Sequence, residues 1–155
     1  MTVYLVRHAK AGDRSSWPGD DFFRPLSRRG QIQAEALVSQ FAGRPIDRLL
    51  ASPYIRCIET LVPLAGARVL AIEPLDPLAE ARALEDAVAL VHKHSQTEAV
   101  MCSHGDMIPM LLEHYANRGI DIGSNPAWPK GSTWMLDFDS TGEVVSARYA
   151  PPPID

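Results

Sequence analysis

The chain is poor in cysteine, has no long apolar run and carries no excess of positive charge. Its 155 residues include only two cysteines, Cys57 and Cys102. Two are too few for a disulfide framework. A single bridge between them and a pair of reduced thiols are both open, and reduced thiols suit a cytosolic protein. No apolar stretch approaches the roughly 18 residues that cross a bilayer. The opening MTVYLVRHAK meets its first charge after too few apolar residues to read as a secretory signal, and a cytoplasmic location is expected. The formal net charge of -4 excludes a global basic field, so neither nucleic acid nor a membrane surface is an expected partner. A site for an anion must then be a local cluster of cations.

What is present is an ordinary globular balance, with 46% hydrophobic and 22% charged residues, which argues against disorder. The length suits one domain over residues 1–155, and no repeat, low-complexity tract or linker divides it. Strand-like and helix-like segments alternate. Thr2–Val6 reads as a strand, and the polar stretch from Ala9 to Pro25 as a long loop. Ser27 is the expected N-cap of a helix running to about Ala42, with Gly30, Ala34, Leu37 and Phe41 on one face. Arg48–Ala51 reads as a second strand. Ser52-Pro53 is expected to start a helix with Ile55, Ile58 and Val62 inward. Arg68–Ile72 is the expected third strand. A helix over about 81–94 buries Leu84, Val88 and Val91, and Ala99–Cys102 is the fourth strand. Ile108, Leu111, Leu112 and Tyr115 mark a last helix, and 132–149 reads as a hairpin turning at Ser140-Thr141-Gly142. The expected fold is α/β: a single-domain three-layer α/β/α sandwich with a mostly parallel sheet and a C-terminal β-hairpin.

In such a sheet, ligands bind outside the carboxyl ends of the strands. Arg7 and His8 end the first strand, Ser52 to Arg56 follow the second, and Ser103-His104 follow the fourth. Three segments distant in sequence thus bring two histidines and two arginines to one edge. Arginine is permanently charged and its fork grips two phosphate oxygens at once. A neutral histidine beside it can attack phosphorus. The cationic neighbours are expected to lower the pKa of His8 and keep it neutral.

LVRHAKAG at 5–12, RPLSRRGQIQAEAL at 24–37, SPYIRCIET at 52–60 and SHGD at 103–106 together resemble the histidine phosphatase superfamily. Their order and spacing agree from Val3 to the strand near Trp134. The short form, without an inserted helical lid, resembles the SixA-type phosphohistidine phosphatases. RPLSRRGQIQAEAL and KGSTW are also similar to the histidine-phosphatase domain that follows a Nudix domain in some bacterial nucleotide-sanitising enzymes. The resemblance implies that His8 is the phosphorylated nucleophile and that Arg7, Arg56 and His104 bind the phosphoryl group. It implies further that Arg24 lies near the phosphate. Glu80 is the nearest match to the general acid of larger members, with Asp106 as the alternative. No metal or organic cofactor is implied. Ala9 stands where the family motif has glycine, at a cost of about 1 kcal/mol if the position needs a positive φ.

Several residues also have plainer readings. His8, His104 and Asp106 are possible metal ligands, but Arg7 and Arg56 would repel a divalent cation. His92 and His94 are expected to be solvated on different helix faces, and His114 on a helix surface. Cys102 reads as core, and Cys57 as packing beside a helix start that could make it reactive. Lys130-Gly131-Ser132-Thr133 resembles the end of a P-loop without its glycine spacing. Trp17 is the best tryptophan for lining a pocket, and Trp134 is expected in the core. The expected partner is a phosphorylated substrate, either a phosphohistidine protein or a small phosphorylated metabolite or nucleotide. A phosphoglycerate mutase would need additional elements to enclose its substrate. The contrasting reading is a non-catalytic module that recognises phosphorylated partners.

Overall fold

The computed structural model describes residues 1–155. Its six strands are β1 (Thr2–Arg7), β2 (Arg48–Ala51), β3 (Ile72–Pro74), β4 (Ala99–Ser103), β5 (Thr133–Phe138) and β6 (Val144–Ala150). The helices are α1 (Arg28–Gln40), α2 (Ile55–Arg68), α3 (Leu84–Lys93) and α4 (Met107–Ala116). The strands form one sheet in the order β3-β2-β4-β1-β5-β6. The first four are parallel, and β5 and β6 close the other side as an antiparallel hairpin. No helix is long and apolar enough to cross a membrane.

Successive strand residues face opposite sides of the sheet, and both sides are covered. Val3 and Leu5 of β1 pack with α3 and α4 side chains such as Val91, Ile108 and Leu111. Tyr4 and Val6 pack with Leu37 of α1 and Phe41 at its C-cap, and with Leu61 and Leu64 of α2. The α/β/α layering expected from the sequence is therefore the observed one.

The start of α1 fixes the chain that leaves β1. Ser27 Oγ accepts from the Gly30 N–H at 3.1 Å, as an N-cap should, and itself donates to the Lys10 carbonyl. Gln33 Oε1 accepts from the Lys10 N–H at 2.9 Å. A Cβ built on Gly30 would overlap the Lys10 carbonyl oxygen. Glycine here permits the close approach of helix and loop.

Three expectations change. The strand expected at Arg68–Ile72 is instead the end of α2 followed by a shift to Ile72–Pro74. Leu61 and Leu64 draw the helix into the core, and Val69, 91% exposed, ends it in the left-handed region at φ 55. Second, α2 starts at Ile55 and not at Ser52-Pro53, because Tyr54 is still extended, at φ -61 and ψ 136, and is itself the N-cap residue. Third, its buried face carries Arg56, Cys57, Thr60, Leu61 and Leu64, while Val62 is exposed. Polar groups occupy the inward positions of its first turns, which obscures the apolar period. In α3 the buried residues are Ala87, Leu90 and Val91, with Leu84 and Val88 at the margin of the core.

Gly30→Ala should lower the melting temperature by displacing the Lys10 segment. Gly66 has open space around it inside α2, so Gly66→Ala should stabilise by about 0.5–1 kcal/mol. Parallel thermal melts check the pair. A Gly30→Ala protein as stable as wild type would show that the close approach is not what requires glycine.

Candidate active site

The parallel register of β1 and β4 sets Arg7 opposite Ser103. The residues that follow, His8 and His104, therefore leave the sheet side by side, with ring centroids 5.5 Å apart. Arg56 reaches the same place from the first turn of α2. A cavity of about 540 Å³ is lined by Arg7, His8, Tyr54, Arg56, Glu80 and His104. Arg14, with its side chain 67% exposed, stands at the rim.

His8 is buried, and its Nδ1 lies 2.8 Å from the Ala9 carbonyl. A carbonyl only accepts, so the hydrogen is assigned to Nδ1, and Nε2 keeps its lone pair. The backbone is held as well: the His8 N–H donates to the Ser103 carbonyl at 3.0 Å, and its own carbonyl accepts from the Gly131 N–H. Burial is the main force that lowers the His8 pKa to about 3. The Ala9 carbonyl opposes it, and the charges of His104, Arg56 and Arg7 add to it. The expected direction holds, but desolvation contributes more than the cationic neighbours. Ala9 has no positive φ, so alanine carries no left-handed strain there. Its N–H donates to Thr60 Oγ1 at 3.0 Å.

Three buried nitrogens have no partner among the protein's own groups: Arg7 Nε, Arg56 Nε and His104 Nδ1. Their other atoms are tied down. Arg7 Nη1 donates to the Trp128 carbonyl at 3.0 Å, and a Cβ on Gly105 would come within 2.7 Å of the Arg7 guanidinium carbon. Arg56, only 1% exposed, donates from Nη1 to the Asp21 carbonyl at 3.0 Å. Its Nη2 lies 3.1 Å from Asp21 Oδ2 and 3.4 Å from Glu80 Oε2. Ser52 Oγ accepts from the Tyr54 N–H and lies 2.7 Å from His104 Nε2. When the Ser52 hydroxyl donates in that bond, the His104 hydrogen sits on Nδ1, 3.7 Å from Glu80 Oε2. Buried donors left open in this way suit an anion.

The structure thus brings Arg7, His8, Arg56, Glu80 and His104 together. Arg24 is not on the cavity wall; its guanidinium is held by Asp21 at 2.7 Å and by the Gly12 carbonyl. Asp106 lines the cavity, but its Oδ2 accepts from the Ala81 N–H at 2.8 Å. Asp21, Ser52 and Thr60 were not singled out from the sequence for roles here, and each acts through a contact with a distant segment. Partial burial pushes the Asp21 carboxyl up, but Arg24, Arg56 and Arg14 together hold it below the usual carboxylate range. Lys130 sits in the same field: burial and then Arg7, Arg24, Arg56 and Arg14 lower its pKa.

The remaining candidates fall elsewhere. Trp17 does not line the cavity, and its Nε1 donates to the Asp20 carbonyl. Trp134 is in the core. His94 is buried rather than solvated, because it caps α3 and its Nδ1 meets Thr97 Oγ1 at 3.3 Å. His92 is half-buried against Tyr115 and Phe138. Cys57 and Cys102 are free thiols buried in the α1/α2 core, with Cys57 Sγ 3.6 Å from His104 Nε2. No three His, Cys, Asp or Glu side chains are grouped so as to hold a metal ion.

An imidazole with a free lone pair, set among open cationic donors at the carboxyl edge of a parallel sheet, is the layout of a phosphoryl-handling enzyme. The chain belongs to the histidine phosphatase superfamily (branch 1), whose family model matches residues 3–86. An 8-oxo-(d)GTP phosphatase of Mycolicibacterium smegmatis is 38% identical over 162 aligned positions, which cover 98% of this chain and 48% of that protein. The chain thus spans about half the length of this curated relative. The protein histidine phosphatase SixA complexed with tungstate has a TM-score of 0.77 at 20% identity, covering 99% of this chain and 97% of that one. A mycobacterial glucosyl-3-phosphoglycerate phosphatase in complex with VO3 has a TM-score of 0.71 at 15% identity, with 97% of both chains covered. These two structures share the fold.

Between its folded value near 3 and its ordinary 6.5, His8 binds a proton in the unfolded chain but not in the folded one. Stability should therefore fall as pH drops through this window and be unaffected by His8 above it. The His8 ring resonances should stay flat from about pH 8 to about pH 4.5 in an NMR titration. A midpoint near the ordinary histidine value would contradict the buried, neutral imidazole.

Proposed function

We propose that this chain is a metal-independent phosphatase that works through a phosphohistidine at His8. His8 Nε2 attacks phosphorus in line with the leaving group, the bond from phosphorus to that group breaks, and a P–N bond forms. Arg7, Arg56 and His104 stabilise the equatorial oxygens. Water then attacks phosphorus, the P–N bond breaks, and inorganic phosphate leaves with Nε2 free again. Glu80 supplies a proton to poor leaving groups such as alkoxides, whereas a phosphohistidine substrate needs less help. Residues 1–155 act in this reading as one histidine phosphatase domain.

The observation that carries the proposal is the tautomer of His8. With Nδ1 bonded to Ala9, Nε2 is prepared as a nucleophile beside the three unpartnered nitrogens. A module that only binds phosphate has no use for that preparation. The substrate classes that fit are small phosphorylated molecules, nucleotides included, and protein phosphohistidine. Similarity to the 8-oxo-(d)GTP phosphatase over nearly the whole chain supports the first, and the SixA-like fold supports the second.

Phosphate release in EDTA should proceed in wild type and fall at least about 1,000-fold in His8→Ala. Arg56→Ala should lose about 100- to 1,000-fold. Substrate labelled in the transferred phosphoryl group should leave an acid-labile label on wild type alone. Equal activity in His8→Ala would show that His8 is not the nucleophile; no turnover and no label would favour the binding module. Glu80→Gln should slow alkyl phosphates about 100-fold and phosphohistidine far less. An equal loss on both would remove Glu80 as the proton donor.

A further inference from the structure

Aromatic rings lead from the phosphate cavity to the surface without a gap. The Tyr54 ring lies 4.9 Å from the His104 ring, Phe22 lies 5.1 Å from Tyr54, and Phe23 lies 5.0 Å from Phe22, centroid to centroid. Tyr54 is on the cavity wall, where it also carries Arg56 over its face at 4.9 Å. Phe22 is exposed in part, and Phe23 is 58% exposed. Core packing accounts for the inner end of this path but not for its outer end.

The segment bearing the two phenylalanines is fixed in place. Asp20 Oδ1 accepts from the Phe22 N–H at 2.9 Å. Asp21 lies 2.7 Å from Arg24, 3.1 Å from Arg56 and 3.5 Å from Arg14. The residue that anchors Arg56 thus stands directly before the ring pair. Asp21 and Glu80 also place negative charge near the rim, and both are engaged by arginines. Arg14 approaches them no closer than 3.5 Å and 4.0 Å, so its guanidinium has donors left for another oxygen.

We propose that Tyr54, Phe22 and Phe23 form a ledge for a flat ring on the leaving group, and that Arg14 takes an anionic oxygen lying between that ring and the reacting phosphoryl group. The substrate class this selects is a nucleoside di- or triphosphate. The inference rests on the phosphatase reading above and refines it. The imidazole of phosphohistidine is bonded directly to phosphorus and reaches Tyr54 at most. So does the ring of a simple aryl phosphate. Only a leaving group with a further phosphate and a sugar carries its ring out to Phe22 and Phe23. Aromatic side chains accept any nucleobase because every base offers a π-face.

Two measurements test the ledge. In turnover assays, the ratio of kcat/KM for GDP to that for ethyl phosphate should fall about tenfold in Phe23→Ala, mainly through KM, and recover in Phe23→Trp. The corresponding ratio for phenyl phosphate should respond to Tyr54→Leu and not to Phe23→Ala. In the His8→Ala protein, where binding needs no chemistry, GDP should bind about tenfold more tightly than pyrophosphate by calorimetry, and adding Phe23→Ala should remove the difference. Equal binding of GDP and pyrophosphate, or a GDP ratio indifferent to Phe23→Ala, overturns the ledge even if the enzyme is active. A binding preference for GDP that depends on Phe23, without turnover of any substrate by wild type, keeps the ledge and overturns the phosphatase reading instead.

Discussion

The parallel pairing of β1 with β4 is the constraint from which the site follows. In parallel strands both chains run out of the sheet at the same edge, so the residue after Arg7 and the residue after Ser103 must emerge as neighbours. Two imidazoles 96 positions apart in sequence become a pair with no side-chain interaction needed to bring them there. The backbone completes the work: the His8 N–H reaches across to the Ser103 carbonyl, which prolongs the ladder by one bond past the last residue of β1. An antiparallel pairing would send one histidine to each end of the sheet.

Arg56 shows what it takes to keep such an edge charged. A guanidinium only 1% exposed loses nearly all its water, and a buried ion persists only where partners replace that water. Asp21, the Asp21 carbonyl, Glu80 and the face of Tyr54 supply them. The consequence is a cation shared by two carboxylates whose Nε is still left without a partner. The carboxylates hold Arg56 in a fixed orientation, and Arg24 in turn holds Asp21. Arg24 thus supports the cation from behind the wall.

The parts of this arrangement that depend on local sequence were legible. Ser27 caps α1 because a serine before a helical pattern can bond the third residue on, and Arg7, His8 and His104 end strands that their apolar composition marks. The layering followed from the alternation of strands and helices. What was not legible depends on contacts between remote segments. Asp21 reaches Arg56, Ser52 reaches His104, and Thr60 joins the Ala9 N–H to the Arg56 carbonyl. Ser52 and Thr60 bound the SPYIRCIET motif, but nothing in their neighbourhood, or in that of Asp21, shows which distant group each one meets. The same cause misplaced the face of α2. Arg56 and Thr60 take inward positions that periodicity assigns to apolar side chains, so Ile55, Ile58 and Val62 looked like the buried stripe. His94 escaped notice because a helix end can bury a polar ring when the following turn, here through Thr97, supplies a partner.

The connection between α4 and β5 has two halves of different character. From Ala127 to Ser132 it is stitched to the site: the Trp128 carbonyl holds Arg7, the Gly131 N–H meets the carbonyls of Arg7 and His8, and the Ser132 carbonyl accepts from the Arg7 N–H. From Asp121 to Pro126 most residues are exposed, and the side-chain bond there is the local one from the Gly123 N–H to Asp121. An insertion between Ala127 and Ser132 would break the bonds that hold Arg7 and His8. An insertion between Asp121 and Pro126 would leave those bonds in place. The fold thus has a place where the chain can grow while the backbone that carries Arg7 and His8 stays as it is.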